Sequence, residues 1–202
     1  MDETQILEGM GELKYKAKYI PNDIENYLIV EDIEIIINAK YEEIKNITVY
    51  GNKEDYLAFD TVNTKEMYIV VEYVNGKTEK ISKNITIAYN NGQESFRAGD
   101  TFFTVSAYTE RGQYIEYKVE VKVSKRRPEY TIPTDIIVRE GQKLSEIELP
   151  KGLHWMDENQ KTEGIGYVMY KAKYIPEDTD NYLTVENIDI QIYINKALGS
   201  TI

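Results

Sequence analysis

Cysteine is absent from the 202 residues, so disulfides, thiol nucleophiles and thiolate metal sites are all excluded. Histidine and tryptophan occur once each, as His154 and Trp155, so imidazole chemistry would have to rest on a single ring. Positive charge is in short supply: 24 Lys and Arg stand against 35 Asp and Glu, for a net charge of −11. That balance repels a phosphate backbone or an anionic membrane, so nucleic acid is not an expected partner. No apolar run approaches the ~18 residues that span a bilayer, so no membrane insertion is expected. A signal peptide and a wall-sorting motif are also missing, as expected of a segment from the interior of a longer secreted chain.

What the chain does have is a duplication. Residues 1–38 recur without a gap 155 residues later, with 7 of 14 positions identical over residues 1–14 and 16 of 24 over residues 15–38. Tyr15-Lys16-Ala17-Lys18-Tyr19-Ile20-Pro21 returns as Tyr170-Lys171-Ala172-Lys173-Tyr174-Ile175-Pro176. An offset this long exceeds the period of helical solenoids, so the repeating object is a domain or a pair of domains. The second copy is preceded by Tyr130 to Trp155, which the first lacks, so the chain is expected to begin inside a domain.

Tyrosine outnumbers phenylalanine, 18 to 4, and isoleucine, valine and threonine are plentiful, which is the composition of half-buried pleated surfaces. Period-two alternation is clean at Ile33–Ile37, Ile115–Val123 and Ile188–Ile194, and no stretch carries a helical period. Asn75-Gly76, Asn91-Gly92 and Arg111-Gly112 sit where hairpin turns belong, which predicts a meander through the middle of the chain. Polar, proline-bearing Lys125-Arg126-Arg127-Pro128 and the Asn38-Ala39-Lys40 junction mark boundaries. The expected organisation is a half-domain at 1–38, a β-sandwich at 39–128, a complete repeat at 129–197 and a tail at 198–202.

Around these segments the residues carry a family pattern. Leu144-Ser145-Glu146-Ile147, Leu149-Pro150-Lys151-Gly152, Trp155, Tyr170–Tyr174, Pro176, Asp178, Asn181-Tyr182 and Val185 resemble a repeat of Gram-positive cell-surface proteins, and Tyr15–Tyr19, Pro21, Asp23, Asn26-Tyr27 and Val30 repeat part of it. Ile69–Gly76, Tyr89–Gly92 and Ala98-Gly99-Asp100-Thr101 resemble a bacterial Ig-like domain. The resemblance implies an all-β array of tandem Ig-like β-sandwich modules, with Greek-key or meander strands, in stalks of wall-attached or secreted proteins. It supplies no catalytic residues.

Several sharper readings compete with plain structure. Pro176 to Tyr182 gathers Asp178, Asp180 and Asn181 in one turn that offers oxygen ligands for Ca²⁺, but the spacing lacks the glycine and distal glutamate of an EF-hand. The favoured reading has Asp23, Asp178, Asn26 and Asn181 shaping turns through backbone amides. Trp155, Tyr170 and Tyr174 are candidates for an aromatic platform on which sugar rings stack, against core packing as the default. His154 is expected to point away from the core if its neighbour Trp155 points in. Gly76-Lys77-Thr78 imitates the end of a phosphate loop, but Val71 stands where the first glycine belongs. Asn46-Ile47-Thr48 and Asn84-Ile85-Thr86 match a glycosylation sequon and read as strand residues. The abundant acids do not single out a glycosidase pair, and nothing local marks a Lys–Asn crosslink.

These observations predict a non-catalytic spacer or adhesive stalk module, extracellular and without cofactor, whose partners are a host or wall glycan or a protein. The alternative is a carbohydrate-binding accessory module of a surface glycosidase, favoured by an exposed aromatic strip around Trp155. The half-domain at 1–38, lacking the strands that Tyr130–Trp155 bring to its counterpart, is expected to pair with another chain or to be loosely ordered.

Overall fold

Alternation of apolar and polar side chains leaves the backbone one efficient solution, the pleated strand with one face buried, and the computed structural model is built almost wholly from that solution. It describes residues 10–196. Among the described residues fourteen strands run in order: β1 Gly11–Tyr19, β2 Val30–Ala39, β3 Ile44–Tyr50, β4 Asp55–Leu57, β5 Tyr68–Tyr73, β6 Thr78–Ile81, β7 Thr86–Tyr89, β8 Phe102–Tyr108, β9 Tyr114–Glu120, β10 Lys122–Ser124, β11 Ile136–Arg139, β12 Leu153–Trp155, β13 Gly166–Tyr174 and β14 Val185–Asn195. Among the described residues the only helical piece is a 3₁₀ turn at Leu144–Glu146. The protein is all-β, with multiple sheets in an arrangement consistent with a β-sandwich.

The chain divides into two compact units made of non-consecutive segments. The first takes residues up to Gly51, Met67–Thr86 and Ser106–Tyr117; the second takes Asn52–Glu66, Ile87–Val105 and the chain from Lys118 onward. Strands β7, β8 and β9 form a three-stranded sheet of order β7-β8-β9.

In the first unit β1 and β2 form an antiparallel pair, and β3, β5 and β6 form a sheet in the order β3-β5-β6. The Asn75-Gly76 turn joins β5 to β6 as the sequence predicts, with Gly76 at φ +84°, a conformation that costs glycine nothing. Strand β5 alternates buried Ile69, Val71 and Tyr73 with half-buried neighbours. The buried Glu79 carboxylate accepts the Tyr73 hydroxyl at 2.8 Å and the Glu110 amide at 2.7 Å, which satisfies a charge that would otherwise be costly to bury.

In the second unit the terminal repeat is a four-stranded sheet of order β11-β14-β13-β12. The long β13–β14 pair is antiparallel, β12 adds antiparallel to β13, and β11 adds parallel to β14. Ile188, Ile190, Ile192 and Ile194 alternate inward and join Val138, Leu144, Ile147, Leu153, Trp155 and Tyr170 in one core. Burial of each such side chain contributes about 1.5–3 kcal/mol. Elsewhere in this unit Phe96 and Phe103 are fully buried, and β10 runs parallel to β4.

The duplication survives in three dimensions. All eight paired positions of β1 and β2, from Gly11↔Ala39 to Tyr19↔Val30, reappear 155 residues later in β13 and β14, from Gly166↔Ile194 to Tyr174↔Val185. The irregularity after Ala17 returns after Ala172, and left-handed Asp32 at φ 56° returns as Asn187 at φ 58°. What differs is cover. Ile33 is 37% exposed where Ile188 is 6% exposed, and Leu28 reaches 90%.

Candidate functional site

The candidate metal and ligand residues singled out by sequence fall in the terminal repeat, and the fold sends them to different environments. Trp155 ends β12 with its side chain inward, 4% exposed, and its indole N–H donates to the Ile147 carbonyl at 3.1 Å. Tyr170, on β13, is equally buried; its hydroxyl accepts the Glu163 amide at 2.9 Å, and its ring meets Trp155 edge-on at 6.4 Å. Neither ring offers a face to solvent, because both fill the core that the isoleucines of β14 define. His154, between Leu153 and Trp155, is exposed, as strand alternation requires.

Tyr174 is half-buried at the end of β13 and borders a cleft of about 700 Å³. One face of its ring stacks on Tyr130 at 5.1 Å and 20°. Gly152 abuts its Cδ2–Cε2 edge so closely that a Cβ there would stand 2.6 Å from Cε2. Lys151 and Glu177 form an exposed ion pair on the same cleft, which raises the lysine and lowers the glutamate from their ordinary pKa values.

The Pro176–Tyr182 turn is built on its own side chains. Asp178 accepts the Asn181 backbone amide at 3.1 Å, and both carboxylate oxygens accept the Asn181 side-chain amide, at 3.2 and 3.0 Å. Those bonds, the side-chain one first, hold the Asp178 carboxyl below its usual range. Asn181 Oδ1 is itself taken, accepting the Ala98 amide at 2.9 Å. The turn therefore spends on protein groups the oxygens that calcium would need, and Asp180 stays exposed. Among the described residues no three His, Cys, Asp or Glu side chains are placed to hold a metal ion.

Sequence reasoning missed what surrounds this turn. Arg126 donates its backbone amide to the Asn181 carbonyl at 2.8 Å and accepts from the Leu183 amide at 2.9 Å. Its guanidinium bonds the Ala58 carbonyl at 2.8 Å and Asp60 Oδ1 at 2.5 Å. Lys125 donates to the Thr179 carbonyl at 2.7 Å. Phe59 lies 5.2 Å from the Tyr182 ring, with the Arg97 guanidinium 4.5 Å above the Phe59 ring. These partners lie 54 to 123 residues away in the chain, from Lys125 on Thr179 to Phe59 on Tyr182, so no local signal announced them.

No protein-family model matches the chain, and no curated protein matches it either.

Proposed function

We propose that this chain is a non-catalytic spacer or adhesive stalk module of a bacterial cell-surface or secreted protein, assembled from Ig-like β-sandwich modules that alternate with a second repeat. The observation that carries this reading is the pair of hairpins in one register 155 residues apart. Repetition of a whole structural unit, including its bulge and its left-handed residue, serves reach and geometry, whereas catalysis needs one constellation. The extracellular, wall-associated setting and the Gram-positive source belong to the same proposal, and they agree with a cysteine-free, acidic composition.

The rival carbohydrate-binding reading draws its support from exposed rings. Trp155 and Tyr170 are buried, and Tyr174 gives one face to Tyr130 and an edge to Gly152, so support for the spacer is the greater. The test is a screen of the whole chain against glycans and extracellular-matrix proteins. Silence from folded protein, or adhesion to a protein ligand, agrees with the stalk. Specific glycan binding lost on Tyr174→Ala transfers the assignment to the carbohydrate module.

A further inference from the structure

We propose that the Pro-x-Asp-x-x-Asn-Tyr turn is a docking plug that locks its repeat onto the segments Asn52–Glu66 and Ile87–Val105, making the joint at Arg126 rigid where a linker would be expected to flex. This holds whatever the chain binds.

Three observations converge. First, the turn is preformed. In the first copy Asp23 accepts the Asn26 backbone amide at 3.1 Å and its side-chain amide at 2.8 Å, as Asp178 does for Asn181, and no donor among the described residues reaches Asn26 Oδ1. Tyr27 there is 66% exposed, while its counterpart Tyr182 is half-buried against Phe59. The same local structure thus occurs seated and unseated, so seating does not create it.

Second, the socket is shaped for it. Phe59 sits at φ +70°, which a bulky side chain adopts only when its surroundings impose it. The Phe59 amide donates to the Phe96 carbonyl at 2.8 Å and the Ala58 amide to the Ser124 carbonyl at 2.9 Å, and that strained backbone presents the ring to Tyr182. Arg97 Nη1 is buried without a hydrogen-bond partner among the described residues while its guanidinium covers the Phe59 ring, a cost the arrangement tolerates.

Third, the joint is made of directional bonds. Asn181 Oδ1 to Ala98, the two backbone bonds of Arg126 and Lys125 on Thr179 converge on residues 179–183, and the Arg126 guanidinium ties the same point to Ala58 and Asp60. Segments Asn52–Glu66 and Ile87–Val105 belong to the same compact unit as the terminal repeat. A flexible tether would leave them apart.

The experiment exploits the absence of cysteine. Spin labels at Glu94→Cys and Glu163→Cys in the full chain report the distance distribution across the joint by pulsed electron resonance. A single narrow distribution is expected, and Asn181→Ala should broaden it at least twofold. Asn26→Ala, in the unseated turn, should leave it unchanged. Arg126→Gln, altered on the other side of the joint, carries the test if Asn181→Ala disturbs folding by circular dichroism. A broad distribution in the parent chain, or a narrow one that survives both substitutions, would overturn the proposal.

Discussion

Replacing Gly152 by alanine should damage the terminal repeat more than the same change at Gly141, and the difference can be worked from the two environments. Both glycines hold left-handed backbones, φ +86° and +83°. An L-residue there costs about 1–2 kcal/mol, partly offset by the ~0.4–1 kcal/mol that alanine takes from the unfolded chain's freedom. At Gly141 nothing lies within 4 Å of the added Cβ, so the backbone cost is the whole effect. At Gly152 the Cβ would stand 2.6 Å from Tyr174 Cε2 and 3.1 Å from the Ile175 carbonyl oxygen. Relief requires the ring to leave its stack on Tyr130, worth ~0.5–1.5 kcal/mol, or the Ile175 amide to lose its 2.8 Å bond to the Gly152 carbonyl, worth a similar amount. The extra loss should be about 1 kcal/mol, or ~2–4 °C in Tm for a chain of this size. The single tryptophan makes the assay selective, because Trp155 lies in the core of the repeat being perturbed and its fluorescence follows that unfolding alone. Equal losses for Gly152→Ala and Gly141→Ala would refute the reasoning.

Four further outcomes are expected. The Asp178 carboxyl should titrate below the free value of ~3.9 by carbon-detected NMR. Because its folded pKa is lowered, its contribution to stability is present above the unfolded value and lost as pH falls through the folded one; Asn181→Ala should return it toward normal. Tyr73, pushed up to about 12 by burial and then by Glu79, should ionise well above the free value of ~10 in an alkaline absorbance titration. Its stabilisation is complete below the unfolded value near ~10 and lost as pH climbs through the folded one, and Glu79→Gln should lower the transition. Millimolar Ca²⁺ or EDTA should leave Tm unchanged, since Asp178 and Asn181 already spend their oxygens on protein donors; a clear rise with Ca²⁺ would restore the metal reading. Sedimentation velocity should show concentration-dependent pairing through the exposed β1–β2 face, reduced by Ile33→Lys, and a strict monomer that binds no apolar dye would count against that partner.

The amino-acid order by itself determined the strands and the hairpin repeat. Alternation at Ile188–Ile194 and the Asn-Gly and Arg-Gly turns are local, short-range signals, and a side chain's choice of face follows directly from period two. The inward Trp155 beside an outward His154 was legible for the same reason. So was the Asp178–Asn181 turn, whose bonds span three residues. Parallel pairing of β11 with β14 and of β10 with β4 was not legible, because a parallel partner is set by a long crossover that leaves no mark in either strand. Nor was the seat of Asn181 in Ala98, Phe59 in its strained conformation, or Arg126 bonded to Ala58 and Asp60. Those contacts join residues far apart in the chain, and only the folded backbone brings a carbonyl, a ring and a guanidinium to one point. Tertiary structure also decided what each repeat buries: β1–β2 and β13–β14 share a pattern and a register, yet among the described residues the second alone is flanked by strands β11 and β12, whose Val138, Leu153 and Trp155 join its core.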